Sequence, residues 1–197
     1  GLIISIYLLA SKERFVSQGK KLLYAFWDTR QANVIMEDFR LIDSTFGGFI
    51  SGKILDSAII GVLCFVVVSI MKVPYPMLIS VIVGVTNIIP FFGPFIGAIP
   101  CALLILMVNP MQCLYFIIFI WILQQFDGNF LGPKILGDST GLSGFWIIFS
   151  ITIFSGLMGV PGMILGIPIF AVFYALIKRY VDRSLQKKGM SVKTEEY

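Results

Sequence analysis

Histidine is absent from this 197-residue chain, and charge is scarce, at 13% of residues. Without imidazole, this stretch offers neither histidine-based acid–base catalysis nor a histidine metal site. No metal centre, cofactor or catalytic residue is expected. A soluble domain carries about a quarter charged residues, so half that share points to a chain solvated by lipid. Mean hydropathy is +0.92 and 57% of residues are hydrophobic. Between Ile54 and Ile177 the charged residues are Asp56, Lys72, Asp127, Lys134 and Asp138, each near the edge of an apolar run, where a bilayer tolerates charge. Cysteine is nearly lacking too. Cys64, Cys101 and Cys113 all fall within apolar runs, as small buried hydrophobes do, rather than at the spacing of a metal site.

What charge there is lies beside the spans. Basic residues gather at Lys12, Arg14, Lys20 and Lys21, and again at Lys178, Arg179, Arg183, Lys187 and Lys188. That placement fits the positive-inside rule and contact with anionic headgroups, so membrane lipids are the expected partner and no nucleic acid is expected. Both regions are therefore expected on the cytoplasmic side, with the C-terminus in the cytoplasm. The chain opens on Gly1 inside an apolar run, without the basic start of a signal peptide. It is expected to be the C-terminal part of a longer protein.

Taken in order, residues 1–10 resemble the end of a transmembrane helix. Residues 11–50 have mixed polarity. Ile35, Phe39, Ile42, Phe46 and Ile50 recur at helical spacing, which predicts an amphipathic cytoplasmic or interfacial segment. The same spacing would also suit a helix–helix seam between subunits. A transporter core is expected over 51–181, followed by a cytoplasmic tail over 182–197. Ile54–Met71 is long enough to span, and Pro74 and Pro76 prevent its continuation. Met111–Phe126 is another span. At the start of the first, Lys53 and Asp56 fit a structural role, an acid favouring the helix dipole.

The most informative stretch is Thr86-Asn87-Ile88-Ile89-Pro90-Phe91-Phe92-Gly93-Pro94, which breaks a segment that would otherwise be continuous helix. Two prolines remove backbone donors, and in lipid such a break survives where it is buried in protein or lines a water-filled cavity. The halves on either side are short for full spans, which predicts a re-entrant hairpin. Ser155–Gly162 interrupts a second apolar stretch, with Pro168 beyond it. A helix followed by a Gly/Pro-broken hairpin thus occurs twice in opposite orientation, over 54–71 with 77–108 and over 111–126 with 142–180. Matching interruptions in inverted halves point to a transporter binding site. The fold expected is all-α: a polytopic helical membrane protein with two broken hairpins in an inverted repeat.

The candidate substrate or ion pathway consists of Thr86, Asn87, Pro90, Gly93, Pro94, Gln124, Gln125, Asp127 and Asn129. Asp127 leads, because an acid within a helical bundle is costly and is a functional hypothesis by default. Asn87 either serves the pathway or caps the broken backbone. Gly156, Gly159, Pro161 and Gly162 are expected to provide a hinge or close packing. An intramembrane enzyme fits poorly, since the acids are scattered along the chain.

Asn87 to Pro94 resembles the N-x-I-P-x-x-G-P signature of the autoinducer-2 exporter family, the PerM-like permeases. The run from Gln124 to Gly137 is similar to that family's second block, and Gly141-Leu142-Ser143 with Gly156-x-x-Gly159-x-x-Gly162 through Pro168 to its third. The resemblance covers about Gly52 to Lys178, in the family's order. It implies a multi-pass protein of the bacterial cytoplasmic (inner) membrane and transport of a small polar solute such as an autoinducer-2-like signal by alternating access. Sodium (or lithium)/proton antiport is the alternative activity. It also implies a homo-oligomer, with pentameric assembly described for the family. Many members carry Glu where this chain has Asp127.

Overall fold

The computed structural model describes Tyr7, residues 11–132, Lys134 and residues 141–191. The expected helix end at 1–10 lies outside the described residues apart from Tyr7, as do Pro133, residues 135–140 with Asp138, and residues 192–197. Among the described residues every regular element is a helix.

The chain divides into two compact units, Gly1–Ser44 and Thr45–Tyr197. In the first, α1 (Lys12–Phe26) buries none of its residues. Its apolar positions Phe15, Leu22 and Phe26 remain exposed. Trp27 is extended and ends the helix, and α2 (Thr29–Ile70) begins two residues later. Tyr24 donates its hydroxyl to Asn33 Oδ1 at 2.7 Å across that corner.

The sequence suggests a mixed-polarity segment ending near residue 50 and a separate span from Ile54. Instead, α2 is one helix of 42 residues. The reason is the absence of any proline before Pro74. Gly47, Gly48 and Gly52 each cost a helix only about 1 kcal/mol relative to Ala and remove no backbone donor. The helix ends where Lys72 and Tyr75, on either side of Pro74, adopt left-handed backbone with φ of 54° and 57°.

The second unit carries the remaining helices. Pro76 opens α3 (Pro76–Thr86) at its first turn, where a missing N–H costs nothing. After the break comes α4 (Gly93–Val108), with Pro100 inside it. Asn109 then caps α5 (Pro110–Phe126): its side chain accepts from the N–H groups of Met111 and Gln112 at 3.0 and 3.3 Å. A wide π-helical turn over Asp127–Leu131 extends α5. Last come α6 (Gly144–Met158) and α7 (Val160–Lys187), joined at Gly159, whose φ is 63°. Pro168 lies within α7 without ending it.

Among the described residues, three helices are long and apolar enough to cross a membrane: Thr29–Ile70, Pro110–Leu131 and Val160–Lys187. The shorter apolar helices α3, α4 and α6 pair off into hairpins, α3 with α4 and α6 with α7. At its 11 residues, α3 is only about 16 Å long, well short of a hydrocarbon core. The core sits where α2, α3, α4 and α5 meet, around Ile60, Cys64, Ile79, Val83, Cys101, Ile105 and Phe116. A smaller cluster joins Phe49 of α2 to Ile151 of α6 and Ile167 of α7. Trp146 stacks on Phe170 between α6 and α7, with Phe149 edge-on to both and Tyr174 tilted against Trp146, near Lys178 and Arg179 in sequence, as suits a membrane interface.

The two hairpins share one packing device. Gly93, in the first turn of α4, lies against the Thr86 carbonyl so closely that a Cβ there would collide with backbone. Gly162, in the first turn of α7, lies in the same way against the Phe154 carbonyl. Because the obstacle is backbone, no side-chain shift relieves it. Gly93→Ala is expected to cost about 1–3 kcal/mol, the scale of overpacking a tight site, and to lower the melting temperature of the detergent-solubilised protein. Gly156→Ala, with nothing within 4 Å of the added carbon, should leave it unchanged or raise it slightly; equal melting of the two variants would contradict the account.

Candidate functional site

Each of three helices buries one stripe, and each stripe ends in a polar side chain. In the second half of α2 the fully buried positions are Asp56, Ile60, Cys64 and Val68, one per turn. On α3 the stripe is Ile79, Val83 and then Asn87, at 0%, 2% and 1% exposure. On α5 it is Phe116, Ile120 and Leu123, and Asp127 follows at the next turn. A spacing of three and four keeps such residues on one helix face. Burying the three apolar stripes against one another therefore brings Asp56, Asn87 and Asp127 together at one end of the core.

The contacts there are direct. Lys53 and Asp56, three residues apart on α2, form an ion pair of 2.6 Å between Nζ and Oδ2. The Lys53 side chain is 9% exposed and that of Asp56 is fully buried. Asn87 donates through Nδ2 to Asp56 Oδ2 at 3.2 Å and to Asp127 Oδ2 at 3.5 Å. It reaches these carboxylates from the end of α3, where its own N–H bonds the Val83 carbonyl. The one Asn87 amide thus joins the carboxyl groups of Asp56 and Asp127. Their outer oxygens, Oδ1 in both, are buried without any donor, and Gln124 Nε2 is buried without an acceptor.

This arrangement carries an imbalance. One ammonium faces two carboxyl groups in a low-dielectric setting, where an uncompensated charge costs several kcal/mol. Two carboxylates in contact repel unless a proton or a cation lies between them. The donor-free oxygens are where either would bind. Among the described residues no group of three acidic, cysteine or histidine side chains forms a metal site.

A cavity of about 640 Å³ opens from this cluster. Its polar end consists of Lys53, Asp56, Asn87, Gln124 and Asp127, and its walls are Ile89, Pro90, Phe91, Pro94 and Phe95 at the break together with apolar residues of α4 and α5.

Of the pathway residues expected from sequence, the structure brings Asn87, Pro90, Pro94, Gln124 and Asp127 to this cavity. Thr86 is not among its lining residues; its hydroxyl bonds back to Ile82 and Val83 carbonyls at 2.8 and 3.2 Å, and it packs on Gly97. Gly93 is a packing residue, as described above. Gln125 and Asn129 lie on the exposed side of α5 and bond each other, Asn129 Nδ2 donating to the Gln125 carbonyl at 2.8 Å. Gly156, Gly159, Pro161 and Gly162 belong to the α6–α7 hairpin and do not line the cavity. Asn87 is the C-cap residue of α3 through its backbone N–H, while its side-chain amide donates to Asp56 and Asp127. The role expected for Asp56 also changes. Since α2 starts at Thr29, Asp56 stands deep inside a helix, where no terminal dipole stabilises it. The signal that could have found it is its place one turn before Ile60 and two before Cys64, on the face that sequence periodicity marks as core.

The comparisons with known proteins bear on what such a site serves. The family described as AI-2E family transporter matches residues 1–182. This chain belongs to the AI-2E transporter family. Bacillus subtilis YueF, named as a candidate transport protein, is 32% identical over 178 residues, covering 90% of this chain and 47% of YueF. The similarly named YrrI of the same organism is 35% identical over 142 residues, or 72% of this chain and 40% of YrrI. Escherichia coli YhhT, also named as a candidate transport protein, is 26% identical over 125 residues, covering 63% of the chain and 36% of YhhT. The chain thus spans about half the length, or less, of these relatives. No solved structure matches it. With its three spanning-length helices, this AI-2E family chain is a multi-pass membrane protein of a transporter family.

The buried ion pair makes one outcome specific. Lys53→Met leaves Asp56 without its ammonium and is expected to cost about 3–5 kcal/mol, the range for breaking a buried pair. Adding Asp56→Asn to it removes the orphaned charge and should recover much of that loss. Denaturant unfolding in mixed micelles reads both; a double variant as unstable as the single one would show that charge is not the cause.

Proposed function

We propose that this chain forms the core of a secondary transporter that moves a small solute out of the cell by alternating access. Its coupling site holds one proton or monovalent cation between Asp56 and Asp127. The observation that carries this reading is the pair of buried, donor-free carboxylate oxygens at the mouth of a cavity, beside a helix break. A group that must take up one positive charge in order to be stable inside the protein links the charge it binds to the conformation that buries it. The hairpins, each braced by a glycine against a carbonyl, suit movement as units. The charges at the end of α7, Lys187 and Lys188 among them, support a cytoplasmic C-terminus in a bacterial inner membrane. An autoinducer-2-like signal is the cargo suggested by the family's name.

Cation/proton antiport is favoured by the same oxygens. Sodium or lithium would replace the proton between Asp56 and Asp127, with the Asn87 and Gln124 carbonyl oxygens within the same polar end of the cavity. The two readings separate in proteoliposomes containing a trapped pH dye. Antiport predicts proton release on adding sodium or lithium. Solute export without cation exchange predicts none, but predicts proton movement with solute flux.

In either case Asp127→Asn, which replaces an ionisable group by a neutral one of the same size, should reduce proton-linked flux by about tenfold or more, a loss of at least 1.4 kcal/mol. Asn87→Ala, which removes the donor to both carboxylates, should also slow it while membrane insertion is retained. Wild-type flux in Asp127→Asn would end the coupling assignment.

A further inference from the structure

We infer that the cavity beside Asp127 binds an organic monocation with an apolar body, its positive centre at the Asp127 carboxylate and its body against the aromatic walls. This inference rests on the transporter reading and names the class of solute that the same site takes.

Three observations carry it. The first is charge. Lys53 is already committed to Asp56 at 2.6 Å, whereas Asp127 receives only the 3.5 Å contact from Asn87. Counting Lys53 as +1 and the two carboxylates as −2 leaves the cluster at −1, and the unmatched charge lies on the Asp127 side. The second is the buried Oδ1 of Asp127, which has no donor and belongs to a residue lining the cavity. A carboxylate oxygen in that position is an acceptor awaiting a cation.

The third is the wall. Away from the polar end, the lining comes from side chains such as Phe91, Phe95, Ile99, Phe116, Ile117 and Trp121. These offer area and aromatic faces but, the Trp121 indole N–H apart, no side-chain hydrogen-bonding groups. A hydroxyl-rich solute would leave most of its polar groups unsatisfied against them, at about 1–3 kcal/mol for each. A quaternary ammonium or phosphonium on an apolar frame has no hydrogen-bonding groups to leave unsatisfied there; the Asp127 carboxylate offsets the desolvation of its charge, and aromatic faces attract it further. Pockets for small molecules have this composition: apolar walls with a few convergent polar groups. The chemistry of the walls therefore selects for amphiphilic cations over the hydroxyl-rich cargo that the family's name suggests, and replaces that cargo within the same transporter reading.

The test is equilibrium binding of radiolabelled tetraphenylphosphonium to the protein in lipid nanodiscs, with empty nanodiscs measuring partition into lipid. Tetraphenylborate, of the same shape and opposite charge, is the comparison. A saturable phosphonium component should appear, and borate, measured in separate samples because the two ions co-precipitate, should show none. Asp127→Asn should weaken it by about tenfold or more. Trp121→Ala should weaken it as well, on a wall outside the ion pair. Equal binding of the two ions, or phosphonium affinity unchanged in Asp127→Asn, would overturn the inference. Should Asp127→Asn fail to fold, the borate comparison and Trp121→Ala decide the matter. Proton release on adding sodium is scored separately. Saturable phosphonium binding without it upholds the inference and removes cation/proton antiport; proton release without phosphonium binding does the reverse.

Discussion

The contact on which the site depends is the one between Lys53 and Asp56. A carboxylate with no exposure to solvent needs a cation within reach, and α2 supplies it from its own face, one turn away. That pairing fixes the Asp56 side chain, so that its Oδ2 can accept from Asn87. Without it, the meeting point of α2, α3 and α5 would hold two acids and an amide with nothing to neutralise them. The apolar core then serves a second purpose beyond stability. By packing Ile60, Val83 and Ile120 together, it sets the register that brings the three polar ends into one place.

A packed core and a polar cluster in continuity imply a trade. The apolar stripes gain from burial whatever lies at their ends. The polar ends cost free energy unless every charge is matched, and here one is not. Proteins retain such groups at sites where binding something restores the balance. The AI-2E family context gives that unmatched charge a reason to exist, since a transporter has to bind its cargo or coupling ion and then release it.

Much of this was legible in the sequence. The prolines at 74, 76, 90, 94 and 110 mark helix ends that the structure keeps, because a missing donor acts locally and needs no tertiary knowledge. Asn87 and Asp127 stood out as polar groups within apolar runs. Asp56 was legible too, yet its neighbourhood suggested a helix start, and a carboxylate at a helix start has an ordinary explanation. Only the continuity of α2 through Gly47, Gly48 and Gly52 removes that explanation. Glycine is an ambiguous signal, since it permits a break without imposing one. Gln125 and Asn129 were misleading for the opposite reason: they are adjacent in sequence to Asp127, but the helix turns them to the other side. The pairing of α2 with α3 and α5 depends on contacts between residues some thirty to seventy positions apart, such as Asp56 with Asn87 and Asp127, which periodicity within one helix does not encode.

The closeness of Gly93 to the Thr86 carbonyl has a mechanical consequence. A turn with no free space at its tip cannot fold tighter, so bending of the α3–α4 hairpin, were it to occur, would fall at its two roots. At one root, Lys72 and Tyr75 hold left-handed backbone around Pro74, and the Lys72 carbonyl accepts from Gln112 Nε2 at 3.1 Å. At the other, Asn109 is extended between two helices. Rotation there would carry Asn87 at the far end through the largest arc, so a small change at the roots becomes a large change in its distance from both acids.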